Sequence, residues 1–137
     1  MLYQLTITDL EVSNDTYRES FSIGFFRSRK EAEEVADFYL AHVKGFCDHP
    51  CSFEITKRDI SGQQVGESGE VFIVVGWNLN EDLDEVDIVE SPCLVSESQA
   101  SAVLAQMKAQ HHRTEWAVQR WTVGRTYWGE GFVRYTY

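Results

Sequence analysis

Cys47-Asp48-His49-Pro50-Cys51, with His42 just upstream, gathers thiol, carboxylate and imidazole, the side chains that hold zinc. A structural zinc site takes four such ligands at recurrent spacing, and no recurrence is spelled here. The expected reading is therefore a loop shaped by Gly45 and Pro50, with Phe46 plugging the core between a helix and a strand and the thiols incidental. A Cys–His nucleophile would need a third orienting group and an oxyanion loop, and neither is written nearby. His111-His112 falls where a helix should end, so its charge complements the helix C-terminal dipole.

A second cluster, Glu81, Asp82, Asp84, Glu85, Asp87 and Glu90, contains no base. Calcium takes such oxygens, yet the Gly-centred loop and terminal Glu of an EF-hand are missing. The run reads as a solvated loop leading into a strand, or as a surface for a basic partner. Paired carboxylates can also do acid–base work, but adjacency in sequence does not set them across a substrate. No glycine-rich phosphate loop, Ser nucleophile elbow or H-E-x-x-H is present. The expectation is no catalytic residue, no metal and no cofactor.

The elements that position these residues are written twice. Ser28-Arg29-Lys30-Glu31 and Ser96-Glu97-Ser98-Gln99 both read as capping boxes, about 68 residues apart. After the first, Ala32, Val35, Ala36, Tyr39, Leu40 and Val43 form an apolar stripe at helical spacing. After the second, Ala100, Val103, Leu104 and Met107 repeat it in register. Upstream, Tyr3, Leu5 and Ile7 alternate as a strand, and the same step lands on Val71, Ile73 and Val75. Downstream the step falls to about 63, pairing Phe53 and Ile55 with Trp116 and Val118.

Strands are predicted near 2–9, 20–26, 52–60, 70–77, 86–90 (continuing to Leu94), 115–123 and 131–137, and helices near 29–43 and 97–110. Loops fall at Val12-Ser13-Asn14-Asp15, Ser61-Gly62-Gln63-Gln64, Asn78-Leu79-Asn80-Glu81 and Val123-Gly124-Arg125. The predicted fold class is α+β: two tandem ββαβ repeats, about 1–68 and 69–137, in a single domain 1–137. They form a mainly antiparallel sheet with both helices on one face and a pseudo-twofold between the halves. Two small sheets, each with its own helix, is the alternative.

With 137 residues, 43% of them hydrophobic and 13% aromatic, the chain can bury a substantial core. Neither an apolar run of spanning length nor a basic-then-apolar leader is seen, so no membrane association and a cytoplasmic location are expected. Cys47, Cys51 and Cys93 cannot all pair within one chain, which fits reduced thiols. A net charge of -10 disfavours nucleic acid, whose binding needs basic surface. From Lys108 onward the balance is +3, leaving -13 on the residues before it.

Gly24-Phe25-Phe26-Arg27-Ser28, Ala32, Gly45-Phe46, Pro50 and Phe53-Glu54-Ile55 resemble a small uncharacterised bacterial domain family. Its members share a Ser-capped strand-to-helix step, a Gly-Phe segment before Pro, and a terminal Trp-x-Glu-Gly-Phe. That last motif occurs here as Trp128-Gly129-Glu130-Gly131-Phe132, in the second half only. The resemblance implies two diverged tandem copies and carries no activity with it.

If Trp116 and Val118 face the helices, alternation turns Trp121 and Val123 to the opposite face, and Phe72 and Val74 turn away from Val71, Ile73 and Val75. Phe72, Val74, Trp121 and Val123 are thus the expected interaction surface, an uncovered apolar face suited to a homodimer; the alternative is that the sheet curls or the C-terminal hairpin folds over and buries them within the monomer. The functional expectation is a protein-interaction module, homodimeric and open to a basic protein partner, with an inhibitory or toxin-neutralising role. The alternative is a small-molecule or metal-binding enzyme with its site at the junction between the repeats.

Overall fold

Alternation and capping set nearly every boundary in the computed structural model of the chain, which describes residues 1–12, 19–61 and 69–133. The order is β1 (Leu2–Asp9), β2 (Glu19–Phe26), α1 (Arg29–His42), β3 (Cys51–Arg58), β4 (Ile60–Ser61), β5 (Glu70–Leu79), β6 (Glu85–Glu90), β7 (Cys93–Leu94), α2 (Glu97–Gln110) and β8 (Glu115–Thr122). The fold is α+β with mainly antiparallel strands and two helices; the short β4–β7 ladder is parallel. The strand expected near 131–137 is not formed over 131–133, and its remainder lies outside the described residues, as do Ser13 to Asp15 and Gly62 to Gln64 of the predicted loops. No helix among the described residues is long and apolar enough to cross a membrane.

The strands form two sheets, not the single shared sheet expected. One has the order β2-β1-β3; in the other, β5 is bordered by β6 and β7 on one side and pairs with β8. The chain correspondingly divides into two compact units, Met1–Arg58 with the segment from Val123 on, and Asp59–Thr122.

In the first unit β1 is central. Its Leu5 and Ile7, with Phe21 and Ile23 of β2, pack against Ala32, Ala36 and Tyr39 of α1. Ser28, in extended backbone, accepts a 3.1 Å hydrogen bond from the Glu31 amide and so starts α1, while the Val43 amide closes its end on the Tyr39 carbonyl. Phe46 is buried as the plug of this core, its ring edge-on to Phe21 at 5.2 Å and to Tyr39 at 5.4 Å.

Residues 123–133 return to this unit as a strap. The Gly124 amide donates to the Phe25 carbonyl and the Tyr127 amide to that of Ile23, the residue bulged out of the β1–β2 ladder. Phe132 stacks on Phe21 at 4.7 Å and meets Phe46 edge-on at 4.9 Å, and Trp128 meets Phe21 at 4.8 Å. The Trp-x-Glu-Gly-Phe motif therefore completes the core of the first unit rather than closing the second.

In the second unit Ser96 caps α2 by accepting from the Gln99 amide at 3.1 Å. The Gln99 side chain reaches back to the Val95 amide and across to the Ser61 carbonyl. Beneath α2 lie Phe72, Val74 and Leu94, packed with Ala100 and Met107; the Trp116 ring lies against Gly76, where a Cβ would collide with it.

This corrects the expected interaction surface. Phe72 and Val74 are 5% and 0% exposed and face α2, so they are core, not an open face. Trp121 and Val123 are half-buried, and they belong to different units. The physical reason is a slip of one residue: Val71 to Val75 is apolar throughout, and Val71, Ile73 and Val75 on its other face are buried as well. A strand buried on both faces carries no alternation to say which side meets the helix.

Candidate functional site: a groove along the first helix

The ligand types singled out in the sequence do not converge. Asp48, exposed, turns back on its own loop to accept a 2.9 Å bond from the Gly45 amide, with the Cys47 thiol donating to its other oxygen at 3.7 Å. The Gly45 amide bond holds the Asp48 carboxyl below the usual carboxylate range against desolvation, with lesser help from Cys47, His49 and Lys44. His49 leans on the Phe132 ring and His42 on Phe38, so the imidazoles serve packing. Of the three cysteines, Cys47 is exposed, Cys51 half-buried and Cys93 buried.

The acidic run is exposed, with Glu81, Asp82 and Asp84 in the β5–β6 turn and Glu85, Asp87 and Glu90 on β6. Asn80 organises it, its side-chain oxygen accepting from the Asp82 and Asp84 amides at 2.9 Å each. Asp87 accepts from Asn78 at 3.1 Å, and the Asp87 carbonyl takes the Arg113 guanidinium. Among the described residues no three His, Cys, Asp or Glu side chains gather in a metal-holding group. His111 caps α2 through its amide, which donates to the Met107 carbonyl at 2.8 Å.

A concave site lies elsewhere, between α1 and the strap. It is a groove of about 500 Å³ whose walls include Glu31, Glu34, Val35, Phe38 and Tyr39 of α1 and Thr126 of the strap, with Val43 and Gly129 at its ends. Helical spacing puts Glu31, Glu34 and Phe38 on one face, each three or four residues from the next. Phe38 is 58% exposed, and its ring meets that of His42 at 5.1 Å with a 46° tilt.

Tyr39, only 2% exposed, fixes the strap to the helix: its phenol donates to the Tyr127 carbonyl at 2.7 Å. Burial pushes this phenol up from its ordinary value, with a side-chain hydrogen bond from Thr126 acting the other way. The groove thus has apolar walls, two carboxylates and a phenol whose proton is already committed. Among the described residues, none that lines the groove is basic.

Comparison of the chain with protein-family models, with curated proteins and with solved structures finds no match. A signal for the groove does exist in the sequence. Phe38 stands off the apolar stripe of α1, beside an acidic face, where no core requires an aromatic ring. Thr126 and Gly129 carry no such mark, because only the return of the strap brings them to α1.

Proposed function

We propose that this protein is an interaction module that takes a basic protein segment in the groove along α1. The observation that carries the reading is one wall in which the Glu31 and Glu34 carboxylates stand beside the exposed Phe38 ring, with no basic side chain among the described residues that line the site. Apolar area would supply affinity and the carboxylates register, while the net charge of -10 would draw a basic partner in and repel nucleic acid. An inhibitory or toxin-neutralising role suits such a module, since covering a basic surface blocks whatever that surface would otherwise bind. Three cysteines, an odd number that cannot all pair within the chain, fit a cytoplasmic setting.

A defined peptide library, passed over the immobilised protein, tests this reading. Basic sequences with apolar neighbours are expected to be enriched, less so at higher salt, and the enrichment is expected to vanish for Glu34→Lys and Phe38→Glu chains that melt like the wild type. No preference for basic over acidic peptides, or equal enrichment by Glu34→Lys, would refute it.

We also infer that the two units descend from one duplicated ββαβ segment. Two 14-residue helices begin 68 residues apart behind serine caps. The ladder pairs Leu5–Ile55 and Ile7–Phe53 have counterparts in Val74–Val118 and Gly76–Trp116, at steps of 69 and 63. An experimental structure with either ladder in another register would remove this support.

A further inference from the structure

We infer that the side chain seated in the α1 groove is an arginine, stacked on Phe38 and forked onto Glu34; this rests on the basic-partner reading above. The exposed polar groups of the groove are the Glu31 and Glu34 carboxylates, which only accept; the Tyr39 phenol is buried with its hydrogen on the Tyr127 carbonyl, and the Thr126 hydroxyl is hydrogen-bonded to that phenol. A donor-only group with a hydrocarbon stem is the complement of such a site, which leaves lysine and arginine.

The placement of Phe38 decides between them. Its ring is exposed, lies one helical turn beyond Glu34 on the same face, and touches His42 only at a tilt, so it is not already stacked. A planar guanidinium can lie on an aromatic face and still direct its N–H fork in plane toward a carboxylate. An ammonium group is a point charge that satisfies one of these contacts at the expense of the other. Val35 and Val43 then offer apolar surface for the methylene stem. Bidentate pairing also favours arginine over lysine for orientation, not only for charge.

The test is an NMR titration of the full chain with the acetylated, amidated pentapeptide Gly-Val-Arg-Val-Gly and with its lysine and citrulline counterparts. The arginine peptide is expected to shift amides of α1 and of residues 124–129 at about a tenfold lower concentration than the lysine peptide, with citrulline nearly silent. Phe38→Leu, at an exposed position, is expected to keep the fold and bring arginine down to the level of lysine. Glu34→Gln is expected to weaken both. Equal binding of lysine and arginine, or no effect of Phe38→Leu, would overturn the arginine assignment while leaving a basic partner standing. Absence of any α1 shift with either cationic peptide would overturn both.

Discussion

Asp48 is the residue whose chemistry departs furthest from what its sequence neighbours suggest. In a Cys-Asp-His-Pro-Cys run it reads as a ligand, yet its carboxylate is spent on the Gly45 amide and fixes the turn that delivers Phe46 to the core. Because its folded pKa lies below the unfolded value, its contribution is present above the unfolded carboxylate range and is lost as pH falls through the folded pKa. Asp48→Asn is therefore expected to lower stability at neutral pH and to remove part of the acid-induced loss, as read by urea melts at several pH values. Gly131 makes a sharper demand. Its φ is +81°, and a Cβ there would run into the Lys44 carbonyl. Gly131→Ala is expected to cost more than about 1 kcal/mol and to loosen the strap, raising the solvent accessibility of Trp128 in fluorescence quenching.

At the scale of elements, the helices were the most legible part of the sequence. Both serine caps and both apolar stripes stand where the spacing put them, because a cap and a 3.6-residue period are local signals. Ser28→Ala and Ser96→Ala are each expected to destabilise the fold by about 0.5–2 kcal/mol in denaturant melts, since each leaves a helix amide without its acceptor. The strands were legible in position but not in face. Tyr3, Leu5 and Ile7 alternate with polar residues and so point unambiguously at α1, whereas Val71 to Val75 offers apolar side chains to both sides. That ambiguity misplaced Phe72 and Val74. The α1 groove was missed for a different reason: most of its wall comes from α1, but Thr126 and Gly129 come from a segment some 88 residues away, as the Tyr39–Tyr127 bond spans.

For the molecule as a whole, the two clusters richest in ligand types are accounted for by hydrogen bonds and packing within the chain. Chelator treatment is accordingly expected to leave the melting temperature unchanged. A fall of several degrees, restored by added zinc or calcium, would give the Cys47–Cys51 loop or the β5–β6 turn a metal that their geometry does not suggest. The expected homodimer has lost the surface on which it rested, because Phe72 and Val74 lie under α2. What the exterior does offer is an acidic chain with a concave groove along α1 that carries two carboxylates.

The strap also sets an order of events during synthesis. All of Asp59–Thr122 leaves the ribosome as one continuous stretch, whereas the first unit is emitted early and lacks Trp128 and Phe132 until translation has passed them. Phe21, Phe46 and the carbonyls of Ile23 and Phe25 must wait through that interval without the contacts that the strap supplies. The nascent chain should thus complete its inserted unit before the one that begins it, with the earliest-made aromatic core the last to become protected.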